Sequence, residues 1–263
     1  MLSPEKAHAE CRRAEVITVN ECLNTVECRV FKTDSGIPAA LYGAESEKIF
    51  LCVHGQFGNK FEAESFARIA VPLGWQVLAV DLPEHGERAG NSSARFDPWH
   101  SVPELHGIIS SLRSKNKRVA LRAVSIGAWF SLLAARGISL ECCLLVSPLL
   151  NMERMIADMM RSANISEDTL KEVGEIVVPN GTVLSYDYLL YARRNPPTLS
   201  CLNAKVLCGE NDTVVPFDTV EAFCKANHCG LTVMPAGEHW FHTAEQCKFL
   251  SEWESAALAE FGI

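Results

Sequence analysis

The sequence predicts an α/β domain, a mostly parallel sheet covered by helices on both faces. Two observations carry this. Short apolar runs of strand length alternate with helical patterns along most of the chain. The runs are continuous rather than alternating, as strands buried on both faces require. A third observation sets the scale: 263 residues, 48% of them hydrophobic, supply one large core around a sheet. That length suits one α/β domain, so residues 1–263 are read as a single unit.

In chain order, residues 16–19 and 26–31 alternate in a strand-like way, with Asp34-Ser35-Gly36 as a turn. Residues 49–53 form a buried strand, 62–73 a helix ending at Gly74, and Gln76–Val80 the next strand. Residues 103–113 read as a helix, Arg118–Val124 as a strand, and 126–135 as a helix stopped by Arg136-Gly137. Strands follow at 142–146, 205–208 and 231–234, with helices at 217–226 and 243–261.

Between Leu150 and Lys205 the rhythm breaks and no strand is predicted. Right-handed crossovers bring the C-terminal ends of parallel strands to one edge, where ligands bind. An insertion at that edge, residues 151–203, reads as a small helical lid. Met155, Tyr186 and Tyr188 would give it an apolar, adaptable wall with a few hydroxyls. Ordinary helix packing explains its methionines equally well.

The net charge of −8 disfavours binding to nucleic acid or to an anionic membrane. The first residues carry early charges and no apolar core, unlike a secretory signal. No apolar run approaches the roughly 18 residues of a membrane span. The 11 cysteines are scattered, without C-x-x-C spacing, and several fall in apolar runs. They read as reduced thiols in a cytoplasmic protein. Nothing in the pattern sets an oligomeric state.

Chemistry-bearing residues cluster just past the predicted strands. Ala123-Val124-Ser125-Ile126-Gly127 lies between a strand and a helix. Its small neighbours permit a sharp turn that exposes the serine hydroxyl, and a helix N-cap serine would look the same. His54-Gly55-Gln56-Phe57-Gly58 follows the strand at 49–53 and could be a plain glycine turn. Asp81-Leu82-Pro83-Glu84-His85-Gly86 follows the next strand. Gly209-Glu210-Asn211-Asp212-Thr213-Val214-Val215-Pro216 follows another, and most such aspartates are solvated. Gly237-Glu238-His239-Trp240-Phe241-His242 follows the last.

These segments resemble, in order, the nucleophile elbow, the H-G-x-x-G loop, the D-x-x-G-H-G loop, the acid loop and the base loop of the α/β-hydrolase family. Ala123 and Glu84 stand where the family has glycine. The order Ser125, Asp212, His239 is the family's own. The resemblance covers about residues 48–262. It implies the α/β-hydrolase fold, with a mostly parallel sheet of the eight-stranded type. It also implies Ser125 as nucleophile, His239 as base and Asp212 as its orienting acid, with Glu210 and Asp218 off the expected offset. The backbone N–H groups of Gln56 and Ile126 would form an oxyanion hole. His85 comes too early in the chain to be the base and is read as structural. His242 is read as packing or capping within the last helix.

The chemistry so implied is acyl transfer to water without metal or organic cofactor, on a small-molecule ester. His-Gly-x-x-Gly-Asn-Lys followed by Asp-x-Pro-x-His-Gly looks like small bacterial carboxylesterases of the cinnamoyl- and feruloyl-esterase kind. Phe57 and Trp240 would join Met155, Tyr186 and Tyr188 in lining the substrate site. A thioesterase or peptidase would use the same residues. A non-catalytic binder on this scaffold would typically lack one of them.

Overall fold

The computed structural model describes residues 26–262 apart from 92, 116, 180, 200 and 202, so the strand expected at 16–19 lies outside them. Ten strands are described: β1 (Cys28–Lys32), β2 (Pro38–Tyr42), β3 (Lys48–Val53), β4 (Gln76–Val80), β5 (Arg118–Val124), β6 (Cys143–Val146), β7 (Glu175–Val177), β8 (Val183–Ser185), β9 (Ala204–Gly209) and β10 (Gly230–Met234). Eight of them form one sheet in the order β1-β2-β4-β3-β5-β6-β9-β10. β2 runs antiparallel to β1 and β4, and the remaining pairings from β4 to β10 are parallel.

Eight α-helices are described: α1 (Glu64–Ala70), α2 (Pro98–Ser114), α3 (Ile126–Ala134), α4 (Met152–Ser162), α5 (Glu167–Val173), α6 (Tyr186–Arg194), α7 (Phe217–Asn227) and α8 (Ala244–Glu260). Strand alternation divides the core into two layers. Ile49, Leu51 and Val53 of β3 and Leu121 and Ala123 of β5 face a layer built with Ile109 of α2 and Trp129 and Phe130 of α3. Phe50, Cys52 and Ala120 face the other, with Phe66 and Ala70 of α1 and Trp253 and Leu258 of α8. Two-sided burial is what made these strands read as unbroken apolar runs.

Arg122 interrupts the second layer. Its guanidinium is buried and donates from Nε to Glu254 of α8 at 2.8 Å, so neither charge is left uncompensated. The nine described cysteines form no disulfide with one another, and burial pushes the Cys52 thiol up to about 12, leaving it protonated. Among the described residues no helix is long and apolar enough to cross a membrane.

Three elements differ from the sequence expectation. β2 was not predicted, because it opens on a proline and carries two alanines, both poor strand formers. Tertiary pairing on both sides makes it a strand. α2 begins at Pro98 rather than at residue 103: the Asp97 side chain accepts from the His100 N–H, and Pro98 suits the first turn. The segment 151–203 holds α4, α5 and α6 together with a β7–β8 antiparallel hairpin where no strand was expected. Strands of three residues are too short to show a period, although Asn180-Gly181 is a hairpin signal in the sequence.

Candidate active site

β5 delivers Ser125 to the C-terminal edge of the sheet. Ser125 sits at φ 50° and ψ −125°, a conformation that costs a residue with a Cβ about 1–3 kcal/mol. The surroundings impose it. The Ser125 N–H donates to the Val146 carbonyl, and the Ser125 carbonyl accepts from the Leu149 N–H. Gly127 lets α3 press on the neighbouring loop, since a Cβ there would lie 2.2 Å from the His54 carbonyl oxygen. Although Ser125 occupies the N-cap position of α3, its side chain caps nothing. Its Oγ meets His239 Nε2 at 3.0 Å instead.

The acid and base loops come from β9 and β10, which are parallel neighbours. Asp212 Oδ2 lies 2.8 Å from His239 Nδ1, and Asp212 Oδ1 accepts from the N–H groups of Val214 and Val215. The Asp212 side chain is 5% exposed, which removes it from the class of solvated loop carboxylates. Glu210 instead accepts from the Ala236 N–H, and Asp218 is exposed near Arg154. Two glycines bring the loops into contact: a Cβ on Gly209 would lie 2.3 Å from the Gly237 carbonyl oxygen, the group that accepts from the Asn211 N–H. His242 lies ahead of α8 rather than in it. Thr243 caps that helix, and the His242 ring bonds the Trp240 carbonyl.

Gly55, Gln56, Phe57 and Gly58 form a tight turn closed by Gly58 N–H to Gly55 O at 3.2 Å, with Phe57 at φ 67°. Gly55 rests against the nucleophile, where its Cβ would be 3.2 Å from Ser125 Cβ. The neighbouring loop is anchored by Asp81. Its buried carboxylate accepts from Lys60 N–H, Lys60 Nζ and Glu87 N–H. Gly86 is obligatory there, because a Cβ would fall 2.3 Å from that carboxylate. The sequence reading missed Lys60. A lysine rarely goes unexposed, and its pairing with two carboxylates, Asp81 at 2.8 Å and Glu87 at 2.7 Å, makes burial tolerable.

His54 is buried, and its Nε2 accepts from the Leu82 N–H. Burial pushes its pKa down to about 4, with His85 and Lys60 adding to the depression while the Gly55 carbonyl and Asp81 oppose it. The unfolded chain therefore takes up a proton near pH 6.5 that the folded chain refuses until about pH 4. Stability from this site is present above pH 6.5 and is lost as pH falls toward 4, by about 3 kcal/mol. His54→Gln keeps an acceptor and cannot titrate in this range. Urea midpoints at pH 7 and pH 4.5 should lie closer together for it than for the parent chain. Equal separations would exclude His54 as the source.

Of the expected substrate-binding residues, Trp240 follows His239 in the base loop and Phe57 belongs to the turn whose Gly55 rests on Ser125. Trp240 meets the His239 ring edge-on at 5.1 Å, and the Phe57 and Trp240 side chains are each about half exposed. Met155, Tyr186 and Tyr188 pack against the core layer of α3. Tyr188 contacts the Trp129 and Trp99 rings, and its hydroxyl is buried without a hydrogen-bond partner. Among the described residues these three make no hydrogen bond or ring contact to Ser125, Asp212 or His239. No group of three or more metal-ligating side chains among the described residues is placed to hold an ion.

Similarity to known proteins falls on this same framework. The family model described as the alpha/beta hydrolase family matches residues 50–252. No curated protein matches the sequence. Among solved structures, Est1E from Butyrivibrio proteoclasticus, determined with ferulic acid bound, superposes with a TM-score of 0.64 at 18% identity, over 88% of this chain and 98% of that one. Alpha/beta hydrolase domain-containing protein 10 from mouse gives 0.63 at 15% identity, over 89% and 99%. The thioesterase domain from the curacin biosynthetic pathway gives 0.54 at 15%, over 88% and 99%. At these identities the likeness is one of fold.

Proposed function

Because this chain belongs to the alpha/beta hydrolase family, we propose that it is a serine-dependent ester hydrolase working through an acyl-enzyme on Ser125. One observation carries the reading: a single imidazole bridges Ser125 Oγ and a buried carboxylate, at 3.0 Å and 2.8 Å. Asp212 holds the proton on His239 Nδ1, leaving Nε2 free to take the Ser125 proton as Oγ attacks the ester carbonyl. The N–H groups of Gln56 and Ile126 receive the tetrahedral oxygen. His239 then returns its proton to the departing alcohol and activates the water that frees the acid. The chemistry calls for no metal or organic cofactor. The absence of a disulfide among the described residues fits a cytoplasmic enzyme.

The substrate class we favour is a short or aromatic acyl ester. Est1E, of like fold, was solved with ferulic acid, and Phe57 and Trp240, both half exposed on the loops that carry Gln56 and His239, offer aromatic surface. A thioester or amide substrate is the second reading, since a thioesterase domain shares the fold. A fluorophosphonate probe, with one acyl group presented as ester, thioester and amide, tests this. Labelling with the ester cleaved fastest is the expected result. Fastest thioester or amide cleavage would move the assignment to that leaving group, and neither labelling nor turnover would leave a ligand-binding protein on a hydrolase scaffold.

Residues 151–203 are proposed as the lid that ranks acyl chains. Met155→Ala, Tyr186→Ala and Tyr188→Phe are each expected to reorder a chain-length series while changing the best rate severalfold or less. An unchanged order in all three would assign selectivity to the Phe57 and Trp240 loops.

A further inference from the structure

The loops after β3 and β4 hold each other through two histidines used reciprocally. His54, on the first, accepts the Leu82 N–H of the second at 3.0 Å. His85, on the second, accepts the Phe57 N–H of the first at 2.9 Å. Each ring is locked by its own loop: His54 Nδ1–H donates to the Gly55 carbonyl and His85 Nδ1–H to the Pro83 carbonyl, both at 2.7 Å. A backbone N–H can only donate, so both Nε2 atoms must carry lone pairs and both rings are neutral. Burial holds both imidazoles below the usual histidine range, with Asp81 and Glu84 opposing it at His85.

Phe57 is the turn residue with positive φ, and its peptide unit adjoins the one that carries the Gln56 N–H. In a planar trans peptide the C=O and N–H point in opposite directions. The Gly55 carbonyl is tied down by His54 and by Gly58 N–H, so the Gln56 N–H is directed away from them. The next peptide could still rotate and carry Gln56 with it. His85 is what restrains it, and its ring is wedged between His54 at 5.2 Å and Phe96 at 4.4 Å. With its N–H already given to His85, Phe57 is not available as an oxyanion donor.

We propose that His85 is a positioning residue for the reaction, holding the Phe57 peptide so that the Gln56 N–H stays aimed at the tetrahedral oxygen. This rests on the hydrolase reading above. His85→Asn keeps a donor for Pro83 but cannot reach Phe57. His85→Phe fills the ring volume without an acceptor. His85→Gln restores an acceptor at the ε position. With p-nitrophenyl acetate as substrate, Asn and Phe are expected to lower kcat by about ten- to hundredfold, since loss of a whole oxyanion donor costs about 10²–10³. KM should stay within about twofold, and the affinity for phenylboronic acid, a tetrahedral mimic, should fall in parallel with kcat. Gln should recover most of both. Parental kcat in folded Asn or Phe variants would overturn the inference, as would equal losses in all three accompanied by a raised KM. Should the parent chain show no Ser125-dependent turnover, the hydrolase reading fails, and this inference with it. Ser125-dependent turnover that survives every His85 change overturns the inference alone.

Discussion

Ser125→Ala is expected to lower kcat for ester hydrolysis by roughly 10⁵- to 10⁶-fold, the scale seen when the nucleophile of a serine hydrolase is removed. It should also abolish fluorophosphonate labelling. The variant keeps the Cβ, so the unusual backbone conformation is retained and its surroundings are undisturbed. Among the described residues the hydrogen bond lost is the one to His239, worth about 1 kcal/mol, so the melting temperature should move by only a few degrees. Single-turnover assays at high enzyme concentration would read the residual rate. A folded variant with near-parental turnover would remove Ser125 from the chemistry.

Asp212→Asn should cost about 10⁴-fold in kcat with little change in KM. The side-chain oxygen remains committed to the Val214 and Val215 N–H groups. The new amide NH₂ then faces His239 Nδ1, which must accept rather than donate. The imidazole proton moves to Nε2, where it blocks acceptance of the Ser125 proton. Glu210→Gln and Asp218→Asn should stay within severalfold of the parent, because one carboxylate holds Ala236 and the other lies exposed near Arg154. A severe loss at either of those positions with normal Asp212→Asn turnover would reassign the acid.

Much of this arrangement was legible in the sequence because buried parallel strands leave a strong signature and the reactive loops start where those strands stop. Ile49 through Val53 and Arg118 through Val124 read as strands on hydrophobicity alone, which put His54 and Ser125 at strand ends. The places of Asp212 and His239 followed from the same logic at β9 and β10. What escaped depends on partners far apart in the chain. β2 is a strand through its neighbours rather than its residues. Lys60 is buried through Asp81, and Arg122 through Glu254, 132 residues away. The mutual use of His54 and His85 was hidden for the same reason: each histidine serves the other's loop across 28 residues. In the segment 151–203, methionines read equally well as packing or as substrate wall, since the same flexible side chain serves both. The structure places Met155, Tyr186 and Tyr188 against the core.

The contact between Gly209 and Gly237 bears on how this protein can change over generations. Backbone touches backbone there, with no side chain between to act as a cushion. The separation of the acid loop from the base loop is thus a gauge set by two bare main chains. Most loop positions can drift by small steps, each compensated by a neighbour's rotamer. At Gly209, the smallest step available is a whole methyl group, which would lie 2.3 Å from the Gly237 carbonyl oxygen and push the base loop away from the Asp212–His239 hydrogen bond. Variation in the acid and base loops should therefore gather at their exposed flanks, such as Thr213 and Glu238, with none at the gauge itself.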